Sequence, residues 1–75
     1  MIIHPFNIKY RQQIELKQCQ IMTLASEPVE IVKWNCRGKY PILAVIFDGD
    51  TDDCCFYTNE GISADGDRLY ILLNE

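Results

Sequence analysis

The run Tyr40-Pro41-Ile42-Leu43-Ala44-Val45-Ile46-Phe47 breaks off abruptly into Asp48-Gly49-Asp50-Thr51-Asp52-Asp53. No other stretch restricts the fold as much. Ile, Val, Tyr and Phe suit a pleated, packed surface, whereas Gly and Asp supply turn geometry. The pattern predicts a central, largely buried strand that ends at a hairpin, and hence a small β-rich domain whose core lies along residues 40–47. A chain of 75 residues has room for a single domain, residues 1–75.

Further strands follow the same logic. Cys19, Ile21 and Thr23 alternate with Gln18, Gln20 and Met22. Leu24-Ala25-Ser26-Glu27-Pro28 reads as the connection, with Pro28 at a turn or at the start of the next strand because it cannot donate to a ladder. Val29–Trp34 returns as a second strand, and Asn35–Lys39 is the next turn, where Asn35 and Gly38 tolerate positive φ. Cys54–Thr58 is the fourth strand, Ser63–Asp67 a polar loop and Leu69–Leu73 the last strand. At the N-terminal side, residues 7–15 suit a short helix capped by the Asn7 side chain and filled with Gln, Lys and Arg. The expected fold is therefore mainly β, with an antiparallel meander of about five strands, half-open and barrel-like, plus one short helix.

Composition narrows the function more than it defines it. The net charge is −4, and the seven Lys and Arg residues are scattered from Lys9 to Arg68 without a basic cluster. Nucleic-acid binders draw most of their affinity from neutralising phosphates, so direct nucleic-acid binding is disfavoured. Convergence of Lys9, Arg11, Lys17, Lys33, Arg37 and Lys39 on one face would revive it as a small nucleic-acid-binding barrel. No segment reaches the roughly 20 apolar residues that span a bilayer, so no membrane partner is expected. Residues 1–7 have neither a basic leader nor a long apolar stretch, which favours a cytoplasmic location. Hydrophobic residues make up 48% of the chain, a large share for so small an interior. That excess predicts exposed apolar surface and a homo-oligomer, for instance a homo-dimer joined through strand edges or a sheet face.

The residues with chemical potential are few. Cys19, Cys36, Cys54 and Cys55 contain no Cys-x-x-Cys pair, and adjacent strand residues 54 and 55 point to opposite faces. They read as free, small apolar residues. His4 could serve a Cys–His nucleophile pair only through a spatial meeting, and the acidic surroundings of Cys54 and Cys55 oppose a thiolate. The four carboxylates of Asp48–Asp53 invite comparison with a Ca²⁺ loop. Template positions 1, 3 and 5 hold Asp, but position 6 is Asp53 instead of Gly and position 12 is Asn59 instead of Glu. A solvated turn is the simpler reading, with a Ca²⁺-binding regulatory module as an alternative. Trp34, Tyr40, Phe56, Tyr57 and Tyr70 fit core and cross-strand packing better than an exposed stacking platform. No catalytic, cofactor or metal residue is assigned.

The order of segments resembles that of short uncharacterised proteins of gut Bacteroidota and their phages or mobile elements. The matching pieces are Phe6-Asn7-Ile8, Ile21-Met22-Thr23, Val29-Glu30-Ile31, Tyr40-Pro41-Ile42-Leu43, Tyr57-Thr58-Asn59-Glu60-Gly61 and Leu69-Tyr70-Ile71. Leu24-Ala25-Ser26 stands where those proteins have an Arg-Asp-Gly turn, so this hairpin is expected to differ in shape. The resemblance implies a small β fold and a phage or mobile-element setting, with no catalytic residues to carry over; the leading expectation for function is a non-enzymatic accessory or interaction protein acting through an unknown protein partner.

Overall fold

The computed structural model describes residues 2–73. Its backbone forms six strands: β1 (Ile2–Pro5), β2 (Cys19–Thr23), β3 (Pro28–Lys33), β4 (Ile42–Asp48), β5 (Thr51–Tyr57) and β6 (Leu69–Leu73). All six join one sheet in the order β1-β6-β2-β3-β4-β5, and every neighbouring pair is antiparallel. The mainly β, antiparallel class is as the sequence predicts, but the simple five-strand meander is not. Strands β2 to β5 do run as a meander. β6 then returns across the molecule and inserts between β2 and an additional strand, β1, formed by Ile2-Ile3-His4-Pro5. β1 has only four residues and ends in Pro, so its own sequence signals it weakly; pairing with β6 makes it a strand.

The sheet is open, because the outermost strands β1 and β5 do not pair with each other. One end is nevertheless drawn together. Bridges Tyr57↔Ser63 and Ile62↔Arg68 connect the end of β5 to the start of β6. Ser63, expected in a polar loop, is instead buried. It accepts from Gly66 N at 3.0 Å through its carbonyl and from Asp67 N at 3.1 Å through its hydroxyl, while its own N–H donates to Asp67 O at 2.8 Å.

The helix forms where expected, as a 3₁₀ turn Ile8–Tyr10 running into α1 (Arg11–Glu15). Asn7 Oδ1 accepts from Lys9 N at 3.0 Å, satisfying one of the orphan donors of the first turn. The far end closes with Gln18 N donating to Gln13 O at 2.9 Å and Lys17 N to Ile14 O at 3.1 Å. This paired closure requires a left-handed residue, usually Gly, and Lys17 occupies it at φ 60°. Asn35 is not among the positive-φ residues; Gly38 is, at φ 102°.

Register and the two-residue period of a strand assign each side chain to a face. A single row, His4–Ile71–Ile21–Val29–Ile46–Asp53, crosses all six strands on the inner face. Rows Ile31–Ala44–Cys55, Ile42–Tyr57 and Thr23–Leu69 lie beside it. The buried core is drawn from this face: Cys19, Ile21, Ile42, Ala44, Tyr57, Leu69 and Ile71, capped by Phe6 and flanked by Tyr10 and Ile14 of the helix. Phe6 closes the core against Gly61, where a Cβ would sit 2.7 Å from the Phe6 Cβ; only Gly fits there, at φ 78°.

The run that dominates the sequence is thus buried on one face only. Ile42 and Ala44 are fully buried, but Leu43 and Val45 are half-buried and Phe47 is exposed. Tyr40 and Pro41 precede the strand. β4 lies next to an edge strand and no element among the described residues packs over its second face, where Phe47 is exposed, so its continuous apolar run does not mean burial on both sides.

Candidate interaction surface

The outer face of the sheet carries an apolar strip where water-facing polar residues would be usual. Rows Ile3–Leu72–Gln20 and Pro5–Tyr70–Met22–Pro28 cover one half, and Glu30–Val45–Cys54, Lys33–Leu43–Phe56 and Phe47–Asp52 the other. Ile3 is 61% exposed, Phe56 50% and Phe47 37%. Met22, Leu43, Val45, Tyr70 and Leu72 between them are only half-buried. The charges on this face are single side chains in the rows, Glu30, Lys33 and Asp52, so the apolar strip is contiguous across strands.

A β-bulge decides which aromatic residues belong to it. The β3–β4 register shifts between Ile31 and Lys33, leaving Val32 extra and 59% exposed. Strict alternation from Val29 would put Trp34 on the outer face. The bulge turns it inward, where it packs against the core and stacks on Phe6 at 6.2 Å with a 20° interplanar angle. The Arg11 guanidinium lies over its ring at 5.1 Å and also pairs with Glu15 at 2.6 Å. The five aromatic residues singled out from sequence are therefore split: Trp34 and Tyr57 on the inner side, Phe56 and Tyr70 on the outer, and Tyr40 in the preceding loop beside Lys39. They do not make one stacking platform.

The acidic segment is also divided. Asp48 pairs with Thr51, so the turn proper is only Gly49–Asp50, with Gly49 at φ 61°. Asp52 and Asp53 belong to β5, opposite Phe47 and Ile46, and their side chains leave opposite faces. A ladder this regular disperses the carboxylates that a Ca²⁺ loop would gather. Among the described residues no three His, Cys, Asp or Glu side chains gather closely enough to hold a metal ion.

The four cysteines are free, with Cys19 buried and Cys54 exposed. Cys54 and Cys55 face Val45 and Ala44 on opposite sides of the sheet, as the strand period requires. Burial pushes the Cys19 thiol above its ordinary pKa, which disfavours the thiolate that nucleophilic chemistry needs. His4 sits on β1 with its ring 6.3 Å from that of Tyr10.

The basic residues do not converge on one depression. Lys9 and Arg68 line a hollow with His4, Tyr10 and Glu60. Lys17 lies at the rim of a separate cleft of about 520 Å³ between α1 and the diverging strands β2 and β3. Arg37 and Lys39 line a third depression, of about 510 Å³, beside Cys54, Phe56 and Asp65. Sequence reasoning expected exposed apolar surface but assigned Phe56 to packing, and it named neither Ile3 nor Phe47 as surface. The signal was present as alternation in β4, where Leu43, Val45 and Phe47 are the wrong parity for the core. Among the described residues no helix is long and apolar enough to cross a membrane. Compared with protein-family models, curated proteins and solved structures, the chain matches none.

Proposed function

We propose that the chain is a non-enzymatic accessory protein that binds another protein through the outer face of its sheet. The observation carrying this reading is the contiguous strip of Ile3, Leu72, Tyr70, Met22, Val45, Phe47, Leu43 and Phe56 on a face that contributes none of the buried core. A small domain gains little stability from exposed Phe and Ile, whereas a contiguous apolar patch rimmed by charge is the usual form of a contact site. The partner that fits presents an apolar strip of its own, with polar groups placed to meet Glu30, Lys33 and Asp52. A setting in phages or mobile elements of gut Bacteroidota belongs to the same proposal and rests on the resemblance of the segments alone.

The test is comparative affinity purification from the native host followed by reconstitution. Wild type and Phe47→Thr/Phe56→Thr chains are used as baits, and each protein retained only by wild type is then purified and titrated against both. Direct binding by wild type that weakens roughly a hundredfold in the double variant, about 2.7 kcal/mol, supports the outer face as the site. Equal affinity of both baits for every retained protein removes it.

A further inference from the structure

We propose that the free edge of β1 pairs with the same edge of a second copy of this chain, forming a twofold dimer with Ile3 at the axis. The inference stands whether or not the outer strip binds another protein, and its test separates the two.

The two edges of the open sheet are protected differently. Residues of the same chain already occupy the C-terminal end of the β5 edge, through the Tyr57↔Ser63 bridge and the 2.9 Å bond from Thr58 N to Ile62 O. The N-terminal half of β5 carries Asp52 and Asp53. β1 has neither safeguard. It contains no Asp, Glu, Lys or Arg, and its only strand neighbour is β6. Phe6 N donates to Leu69 O at 3.0 Å, continuing the β1–β6 register by one residue. By alternation, His4 and Ile2 also turn their backbone groups towards β6. The N–H and C=O of Ile3 and the C=O of Pro5 therefore point outward. Among the described residues no backbone group bonds Ile3 or Pro5 on that side. Ile2 and Ile3 are both exposed, so the edge is apolar as well as unpaired.

Symmetry and Pro5 select the register. An antiparallel pair of identical edges needs a twofold axis perpendicular to the sheet, which keeps inner face with inner face. Centring on Ile3 makes the two Ile3 residues a hydrogen-bonded pair, each N–H donating to the other's C=O. His4 then lies opposite the partner's Ile2. Centring on His4 would set two imidazoles face to face and place Ile3 opposite the partner's Pro5, which has no N–H for the Ile3 carbonyl. Centring on Ile2 would leave that residue alone with a β1 residue opposite it.

A second copy is the occupant these features fit. The chain carries a net charge of −4, so copies repel one another, and an edge strand without carboxylates is where they approach at least cost. Ile3 belongs to the outer row Ile3–Leu72–Gln20. The axis therefore brings the Ile3 and Leu72 side chains of both copies together and joins the two sheets into one. Aliphatic cross-strand pairs of this kind add to the main-chain bonds. On the inner face the partner's Ile2 meets His4, whose ring lies 6.3 Å from that of Tyr10. β1 has only four residues, so the contact falls below the roughly 1,200 Å² of a tight interface and the dimer belongs to concentrated protein.

The experiment follows the intact chain from micromolar to millimolar concentration by sedimentation and by amide hydrogen exchange. The expected result is a monomer–dimer equilibrium in which the Ile3 amide becomes protected as the dimer forms. Ile3→Lys and Ile3→Asp should each weaken association roughly tenfold or more, because the axis sets like charges opposite one another. Mixing the two variants should restore it as a heterodimer, a result peculiar to a residue that faces its own copy. Phe47→Thr/Phe56→Thr should dimerise as wild type does, which separates this edge from binding through the outer strip. Circular dichroism of each variant shows that the monomer fold is retained. A monomer at millimolar concentration, a dimer whose Ile3 amide stays unprotected, or folded Ile3→Lys and Ile3→Asp chains that fail to associate when mixed each overturns the proposal.

Discussion

Ile71 and Leu72 are neighbours on β6, yet they belong to two different parts of this molecule. Ile71 sits in the row that crosses all six strands on the inner face and is fully buried. Leu72 points the other way, between Ile3 and Gln20, and is half-buried. Similar side chains one residue apart serve the fold on one face and remain available to a partner on the other. Hydrophobicity alone therefore does not identify a core; parity within the ladder does.

Several substitutions can break or sharpen that contrast. The largest effect is expected for Ile71→Ala, which removes packed volume and leaves a cavity costing about 2–5 kcal/mol; Leu72→Ala should cost less than half as much. Equilibrium urea unfolding measures both, and equal losses would erase the distinction between faces. Gly61→Ala should follow closely, because its new Cβ would meet Phe6 at 2.7 Å and the backbone has φ 78°. Crowding and left-handed strain together are worth about 2–4 kcal/mol.

Tyr57 supplies a pH-dependent version of the contrast. Burial in the core, aided by Cys55, Asp67 and Glu27, raises its phenol well above the ordinary value of 10.0. The unfolded chain ionises first, so this contribution is complete below pH 10 and is lost progressively as the pH rises beyond it. Tm measured from neutral to alkaline pH should fall above that point, and Tyr57→Phe should lessen the fall. An unchanged profile in the variant would show that the phenol is not held neutral by the core. The smallest effect is a gain. Lys17 occupies a left-handed position at φ 60°, and Lys17→Gly should raise stability by about 1 kcal/mol. A loss there would mean that the lysine side chain contributes more than its backbone costs.

The sequence indicates the strands and the helix through local signals, and those signals hold. Asn7 caps the helix, Pro28 begins β3, and Leu69–Leu73 is a strand from end to end. What it hides is set by long-range pairing. β1 is too short to be read without β6 beside it, and the insertion of β6 between β1 and β2 leaves no local trace. The inward turn of Trp34 depends on one extra residue at Val32, and Val29–Trp34 shows no Gly to mark such a bulge. The acidic run looked like one turn because Asp suits turns, yet tight closure at Gly49–Asp50 returns Asp52 and Asp53 to the ladder. The outer strip was legible only as a surplus: 48% hydrophobic residues exceed what one thin core can hold.

The central claim is that the outer-face aromatics do not hold the fold together. Urea unfolding of Phe47→Thr/Phe56→Thr tests it most directly, since Thr keeps the strand preference while removing the rings. The account expects a midpoint within about 1 kcal/mol of wild type with an unchanged slope. A loss of several kcal/mol, comparable with Ile71→Ala, would show that the outer strip is part of the core and would contradict the account.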